Sequence, residues 1–259
     1  KEIGTSVREV RRQTEDIRNQ EFIPAHLQKR DSDVAIDVKR ISHSYGTKPA
    51  LANVSTKINQ GEIVAIMGRN GAGKSTLLHS IVGLHAPDSG EITVNGQDPT
   101  LLKGALRRKS IGYVPQEPSD LLFGSSVEDE CAQADRDNQL ATGSTVALVN
   151  RLVPHISRHA HPNDLSEGQR LALVLSIVLS GNPDVLVLDE PTRGLDYQAK
   201  SIFGAVLKEY ATQFERPVLL ATHDVELVAE LADRVLFLAE GEIVADGSTL
   251  DVLLSSPAF

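Results

Sequence analysis

The spacing of apolar residues divides the chain into a polar beginning and a long stretch that alternates like a folded domain. In residues 1–33 charged side chains dominate and apolar ones are scattered, so we expect a linker or an approach arm. From there on, two successive short segments carry apolar or β-branched residues at every second position: Val34, Ile36, Val38, Val54, Thr56 and Ile58. This alternation predicts an N-terminal antiparallel β subdomain.

Continuous apolar runs predict a second kind of strand, which is buried on both faces. Residues 63–67, 185–188 and 217–221 are runs of this kind and are typical of a parallel sheet covered by helices. Residues 111–114 predict one more short strand, whereas residues 127–154 favour helix and look like a helical insertion. The pattern predicts an α/β fold: a mostly parallel sheet flanked by helices, with the antiparallel subdomain and the insertion added to it.

Composition excludes several classes of protein. The net charge of −9 argues against non-specific nucleic-acid binding, which needs a basic face, and we expect no nucleic-acid partner. No stretch approaches the roughly 20 apolar residues that span a bilayer, and we expect no signal peptide at the beginning of the chain. The single cysteine, Cys131, fits a reducing cytosol, and we expect it to be a small buried residue. Because the chain begins at Lys1 rather than Met, we expect a fragment or a processed product.

Residues 68–75, Gly-Arg-Asn-Gly-Ala-Gly-Lys-Ser, form the most informative motif. They lie between the apolar run 63–67 and a helix-like segment, which is the strand–loop–helix context of a phosphate-binding P-loop. Such a loop offers convergent backbone N–H groups, the positive end of a helix dipole and one ammonium group to phosphates. We expect Lys74 to reach the β and γ phosphates and Ser75 to ligate Mg²⁺. The expected nucleotide-binding residues of the loop are Gly68, Asn70, Gly71, Gly73, Lys74, Ser75 and Thr76.

Asp189 and Glu190 follow the apolar run 185–188, at the end of a predicted strand where ligands bind in parallel sheets. In isolation such an acidic pair is more typical of a capped turn. Together with an upstream P-loop, the pair predicts that Asp189 serves Mg²⁺ and that Glu190 serves the attacking water.

Residues 165–170, Leu-Ser-Glu-Gly-Gln-Arg, resemble the signature motif Leu-Ser-Gly-Gly-Gln of ATP-binding cassette (ABC) ATPases, with Glu167 at the permissive third position. Other marks of that family follow in order: Tyr45, Gln116, the Gly-Leu-Asp of residues 194–196, and the Thr-His-Asp of residues 222–224 after what we expect to be the last parallel strand. The resemblance covers roughly residues 34–259. It implies an ATPase with a P-loop NTPase core, ATP and Mg²⁺ as cofactors, an ATPase domain over 34–259 and a helical subdomain at approximately 117–180.

The resemblance also implies roles for individual residues. Tyr45 would stack on adenine, Gln116 would contact Mg²⁺ and the water, and His223 would hold the γ-phosphate and orient the water beside Glu190. Catalysis is thus implied for Glu190, His223 and Gln116, and metal binding for Ser75, Gln116 and Asp189. Three signature residues would serve the ATP of a partner domain in a head-to-tail dimer: Ser166, Gly168 and Gln169.

The segment after Gln116 resembles one subfamily. Its residues 116–130 match the pattern Gln-x-Pro-x-x-x-Leu-Phe-x-x-(Ser/Thr)-Val-x-x-Glu of energy-coupling-factor importers, which take up vitamins and cobalt or nickel ions. That resemblance implies a second nucleotide-binding domain and a transmembrane subunit as partners, and a peripheral location on the cytoplasmic side of the cell membrane. The polar arm and the Lys1 start indicate the second half of a fused tandem ATPase.

Two alternatives remain at this point. A non-transport ABC ATPase acting on ribosomes would also use a charged linker, and a silent half of an asymmetric pair would need no hydrolysis. The presence of Glu190, His223 and Ser166 argues against a silent half.

A histidine trio at His155, His159 and His161 is more typical of a solvated loop than of a metal site.

Overall fold

The structure, a computed structural model, describes residues 34–154 and 156–255. Residues 1–33, for which we predict a linker, and His155 of the histidine trio lie outside the described residues. The strands are β1 (Val34–Tyr45), β2 (Lys48–Asn59), β3 (Ile63–Met67), β4 (Ser89–Val94), β5 (Ile111–Val114), β6 (Val185–Asp189), β7 (Val218–Ala221), β8 (Arg234–Ala239) and β9 (Glu242–Ser248).

The helices are α1 (Lys74–Ile81), α2 (Gly104–Ser110), α3 (Val127–Asp137), α4 (Ser144–Leu152), α5 (Glu167–Ser180), α6 (Tyr197–Gln213), α7 (Val225–Leu231) and α8 (Thr249–Ser255). Short 3₁₀ turns lie at Pro99–Leu101, Pro118–Leu121 and Pro162–Asp164. No described helix combines the length and the apolar character needed to cross a membrane.

The strands form two sheets. The smaller sheet has the order β2-β1-β4 and is antiparallel. The larger has the order β5-β6-β7-β3-β8-β9, in which the first five strands run parallel and β9 pairs antiparallel with β8. The predicted fold class is confirmed: the residues expected to form the parallel sheet, the antiparallel subdomain and the helices do so.

The central strands explain why ligand-binding residues meet at one edge. Every residue of β3, β6 and β7 is buried, because helices cover both faces of the sheet. These three strands are neighbours and parallel, with Ile66 opposite Ala221 and Leu188 opposite Leu220. Their carboxyl ends, and the loops that leave them, therefore lie side by side.

One expectation is wrong: β7 is not the last parallel strand. Strand β8 also pairs in parallel with β3, with Val64 opposite Arg234 and Met67 opposite Phe237. The connection 222–233, which contains α7, has about the dozen residues that a crossover between parallel strands requires. Residues 222–224 therefore lie in the middle of the sheet edge, beside the P-loop strand, rather than at its border.

A separate small core joins α3, α4 and α5. It contains Val127, Cys131, Val149, Leu165 and Leu173. Cys131 is fully buried, as we expect, and burial raises the pKa of its thiol to about 12. The thiol therefore stays protonated near neutral pH and acts as a packing group rather than as a nucleophile.

Asp135 fixes the turn between α3 and α4. Its Oδ1 accepts hydrogen bonds from the Thr145 amide at 2.9 Å and the Thr145 hydroxyl at 2.7 Å, and its Oδ2 accepts one from the Gly143 amide at 2.7 Å. Burial raises the pKa of Asp135, but these hydrogen bonds outweigh it and leave the pKa below its ordinary value. The ionised carboxylate thus holds the start of α4.

Candidate nucleotide-binding site

A cleft of about 640 Å³ opens at the edge where β3, β6 and β7 end. It brings together most of the predicted site residues, although they come from distant parts of the chain: Tyr45, Asn70, Gly71, Gly73, Lys74, Ser75, Thr76, Gln116, Glu190 and His223. Lys48 and Arg193 also line the cleft, and no sequence motif had indicated them. The only available signal was their place next to Tyr45 and Glu190 in the sequence.

Lys74 lies at the start of α1 and is buried. Its Nζ donates to the carbonyl oxygen of Gly68 at 2.8 Å and lies 3.8 Å from Oε1 of Glu190. The Nζ also donates to the carbonyl oxygen of Arg69 at 3.4 Å, so two backbone carbonyls hold the ammonium group over the loop, beside a carboxylate of the cleft. This is the placement that a group binding phosphate needs, because the backbone fixes the lysine before any anion arrives.

Two loop positions require glycine for different reasons. At Gly68 (φ 146°) a β-carbon would lie 2.2 Å from the carbonyl oxygen of Leu238, so no side chain fits there. At Gly71 (φ 83°) a β-carbon would meet nothing within 4 Å, and only the left-handed backbone disfavours a side chain. Gly68 therefore fits the loop against β8, whereas the position of Gly71 leaves the mouth of the cleft open.

Asp189 and Ser75 form the candidate metal-binding pair. Asp189 ends β6 and is 2% exposed. Burial raises the pKa of Asp189, whereas the nearby hydroxyl group of Ser75 lowers it in part. Its Oδ1 is buried without a hydrogen-bond partner among the described residues. A buried carboxylate oxygen beside a hydroxyl group is the donor chemistry that Mg²⁺ prefers, so the residues present fit this ion.

Glu190 and His223 face each other across the sheet edge. The Nδ1 of His223 lies 2.8 Å from Oε2 of Glu190, although the two residues are separated by 33 positions in the chain. His223 is 74% exposed, whereas the Glu190 side chain is 11% exposed. Glu190 is also one of the non-glycine residues with a positive φ, 46°. Such strain persists only where the surrounding structure imposes it, and it marks this position as a candidate functional site.

The signature residues lie elsewhere. Ser166 caps the start of α5: its hydroxyl accepts from the Gln169 amide at 3.3 Å, and Oε1 of Gln169 accepts from the Ser166 amide at 3.0 Å. Together with Gly168 they line a different cleft, of about 510 Å³, which also contains residues 194–196. None of the three lines the P-loop cleft. The described chain therefore does not bring its own signature motif to its own P-loop.

Comparison with known proteins identifies the family. The profile described as ABC transporter matches residues 51–193, which is more than half of the chain and includes the P-loop, the signature motif and the acidic pair. The chain belongs to the ABC transporter family. The expectation of an ABC-type ATPase domain is thereby confirmed.

Relatives of this ABC domain differ in length. A putative ABC transporter ATP-binding protein of Streptomyces coelicolor is 49% identical over 227 residues, which are 87% of this chain and 40% of the relative. The energy-coupling factor transporter ATP-binding protein EcfA of Methanothermobacter thermautotrophicus is 32% identical over 225 residues, 84% of this chain and 72% of the relative. The chain thus spans well under half the length of the Streptomyces relative.

Solved structures of ABC cassettes share the fold. CbiO1 of Clostridium perfringens, described as part of the ABC transporter complex cbiONQ, is 29% identical, with a TM-score of 0.73 over 86% of this chain and 92% of CbiO1. A dimer of the cassette MJ0796 bound to ADP and Pi is 26% identical, with a TM-score of 0.74 over 83% of this chain and 98% of that one. The ABC domain described here therefore binds ATP and is an ATPase.

The two described histidines of the trio, His159 and His161, have separate surroundings. His159 lies 3.6 Å from the Glu128 carboxylate and is largely exposed, and Nδ1 of His161 accepts a hydrogen bond from the Asn163 amide at 3.1 Å. Within residues 34–154 and 156–255, no group of three histidine, cysteine or acidic residues is arranged to hold a metal ion.

Proposed function

We propose that this domain hydrolyses ATP with Mg²⁺ in the P-loop cleft and that the energy drives a membrane importer of the energy-coupling-factor type. Phosphoryl transfer requires positioning and charge stabilisation rather than covalent chemistry by the protein. Lys74 neutralises the β and γ phosphates, Glu190 orients and deprotonates the attacking water, and His223 aligns Glu190. Their mutual distances of 2.8 and 3.8 Å support these roles.

The residues that would contact Mg²⁺ and the adenine ring complete the proposed site. Ser75, Asp189 and Gln116 would hold Mg²⁺, which supplies positive charge to the phosphates. The partnerless Oδ1 of Asp189 supports this assignment most directly. Tyr45, which is 51% exposed at the mouth of the cleft, would stack on adenine.

The second part of the proposal is a head-to-tail dimer. Ser166, Gly168 and Gln169 would serve the ATP bound to a second nucleotide-binding domain. The support is that Ser166 is exposed at the beginning of α5 and lies in a cleft separate from the domain's own P-loop. A helix N-terminus without a ligand in its own chain can stabilise a phosphate presented by another.

The coupling to an importer rests on one observation, the shape of the segment from Gln116 to Glu130. This segment begins with Gln116, which lines the P-loop cleft, and ends in α3. The buried Glu130 of α3 accepts hydrogen bonds from the backbone amides of Phe123 and Gly124. These contacts hold Phe123 with 87% of its surface exposed. A rigidly held, exposed phenylalanine connected to the nucleotide cleft suits a hydrophobic contact with a transport subunit.

Two comparisons support the importer type. EcfA and CbiO1, to which the chain is similar, are both described as transporter components. We include in the proposal a fused tandem arrangement, which the greater length of the Streptomyces relative supports. We also include the division into an arm at 1–33, an ATPase domain at 34–259 and a helical subdomain at approximately 117–180, and a peripheral position on the cytoplasmic side of the membrane.

Co-purification of the full-length protein tests this proposal. Tagged protein is isolated from detergent-solubilised membranes and its partners are identified by mass spectrometry. We expect a polytopic membrane protein together with a small integral subunit, and we expect Phe123→Ser to lose both. Phe214→Ser is the matched control, because Phe214 is also an exposed phenylalanine, 56% exposed at the end of α6.

The outcomes separate the candidate functions. Equal loss of partners in both phenylalanine variants would contradict a specific role for Phe123. Recovery of ribosomal proteins without a membrane protein would replace the importer with an ATPase that acts on ribosomes. Neither result would alter the assignment to the ABC family.

A further inference from the structure

Two histidine rings, His43 and His85, contact the ring of Tyr45, and a third, His79, contacts His85. The ring of Tyr45 is nearly perpendicular to His43, at 87° with centroids 5.0 Å apart, and to His85, at 87° and 5.9 Å. His43 and His85 are stacked at 16° and 5.6 Å. His79 then contacts His85 at 65° and 5.3 Å. Edge-to-face contacts of this kind are favourable and fix the direction in which a ring points.

The far end of this ring cluster, which consists of His43, Tyr45, His79, His85 and Tyr113, is anchored in the nucleotide-binding core. His79 belongs to α1, the helix that begins with Lys74. Its Nε2 lies 3.0 Å from the Tyr113 hydroxyl, and Tyr113 belongs to β5. The contacts therefore form an unbroken connection from the phosphate-binding helix to the half-exposed ring of Tyr45.

Backbone hydrogen bonds hold His85 in place on both sides. On the helix side, the amides of Leu84 and His85 donate to the carbonyl oxygen of His79 at 2.8 and 3.3 Å. On the strand side, the Asp88 amide donates to the Ser42 carbonyl at 2.8 Å, and Oδ2 of Asp88 accepts from the Ser44 amide at 2.7 Å. The loop that carries His85 is thus bonded to α1 and to β1, so His85 is a fixed support rather than a mobile surface residue.

The charge state of His79 favours packing inside the cluster. Burial, followed by the charge of His85, lowers the pKa of His79, whereas the charge of Asp189 raises it in part. His79 is therefore neutral near neutral pH. A neutral imidazole packs against its neighbours as an aromatic ring without electrostatic repulsion.

From its own strand, Tyr45 receives one ring contact, that of His43. It lies at the end of β1, paired with Lys48 across a two-residue turn at Gly46 and Thr47, where Gly46 has a φ of 62°. The tip of a hairpin is the part of a sheet with the fewest neighbours. His85, which lies outside the hairpin, therefore adds to the contact of His43 the second ring contact that orients Tyr45.

We propose that His85, assisted by His43, is a positioning residue that holds Tyr45 as the platform for the nucleobase. His85 thereby determines how much of the affinity for ATP comes from the base rather than from the phosphates. This inference rests on the role of Tyr45 in the proposed function, and the experiment below distinguishes the failure of one from the failure of the other.

Calorimetric titration of the full-length protein with two probes tests the inference. ATP reports binding of base and phosphates, and inorganic tripolyphosphate reports binding of phosphates alone. We expect His85→Ala to weaken ATP binding about fivefold, to leave tripolyphosphate binding unchanged, and to be rescued by His85→Phe, which retains an aromatic ring. The control His159→Ala, at a histidine that is 88% exposed outside the cluster, should change neither.

A double-mutant cycle with Tyr45→Ala shows whether His85 acts through Tyr45. Tyr45→Ala alone should weaken ATP binding about tenfold, and adding His85→Ala should weaken it no further. If Tyr45→Ala has no effect, the platform role in the proposed function is wrong. If Tyr45→Ala weakens binding but His85→Ala does not, or if His85→Ala weakens tripolyphosphate binding equally, the positioning role of His85 is refuted.

Discussion

Replacement of Glu190 by glutamine is the most informative perturbation of the cleft. The substitution keeps the size and the hydrogen-bonding oxygen of the side chain, so the 2.8 Å contact with His223 is preserved in length. It also keeps a non-glycine residue at φ 46°, so the backbone strain is the same in both proteins. The negative charge and the ability to accept a proton are what the substitution removes.

The expected magnitude follows from these contacts. General-base catalysis contributes roughly 10²- to 10⁴-fold to a reaction rate, so turnover should fall by at least about 100-fold. ATP binding should be unchanged or tighter, because Lys74 loses the carboxylate that lies 3.8 Å from its ammonium group and remains available to phosphate.

Two measurements on the full-length protein check this expectation. Phosphate release gives turnover at saturating ATP and Mg²⁺, and size-exclusion chromatography with ATP reports whether the variant accumulates as a dimer. Glu226→Gln, at an acidic residue in the first turn of α7, is a control that should leave turnover unchanged. Turnover of Glu190→Gln within tenfold of the original would refute the role assigned to this carboxylate.

Three further predictions concern stability and binding. Asp135→Ala should lower the free energy of unfolding by about 3 kcal/mol, because it leaves the buried donors that bind this carboxylate without a partner. Because the pKa of Asp135 is lowered in the folded state, its carboxylate stabilises the fold fully above about pH 4, and this stabilisation is lost as the pH falls through the folded-state pKa. The difference in the free energy of unfolding between the original protein and Asp135→Ala, measured with urea, should therefore become smaller at low pH. Gly68→Ala should cost more than about 2 kcal/mol, because a β-carbon would lie 2.2 Å from a carbonyl oxygen, whereas Gly71→Ala should cost about 1 kcal/mol. Lys74→Ala should weaken ATP binding at least tenfold in a calorimetric titration, because a charge-assisted contact is lost.

Each of these three predictions has an outcome that would contradict it. Equal destabilisation by Gly68→Ala and Gly71→Ala would show that backbone conformation, rather than contact with β8, determines the cost. Lys208→Ala, at an exposed lysine of α6, is the control for charge and should leave ATP binding unchanged. Unchanged affinity in Lys74→Ala would contradict the assignment of the P-loop. A difference between Asp135→Ala and the original protein that is constant with pH would contradict the ionised state of Asp135.

Short stretches of sequence predicted much of this fold because their requirements are local. Strands β3 and β6 lie where continuous apolar runs predict them, since a strand covered on both faces needs apolar residues at nearly every position. The place of β8 in the sheet was not predicted, because strand order depends on how α7 crosses the sheet rather than on any local pattern. The hydrogen bonds of Glu130 to the segment at Phe123 were also not predicted, since the same acidic residue on an exposed helix face would look identical in the sequence.

The sequence by itself determined the family of this protein and the motifs of its candidate site. A P-loop, an acidic pair after a buried strand and a signature motif need particular residue types at fixed spacing, so they can be recognised without coordinates. The tertiary structure decided which of these groups meet. Glu190 and His223 come within 2.8 Å because β6 and β7 are neighbours, and His85 supports Tyr45 because one loop is bonded to both α1 and β1. Such long-range contacts result from the packing of whole elements, and no short segment of sequence encodes them.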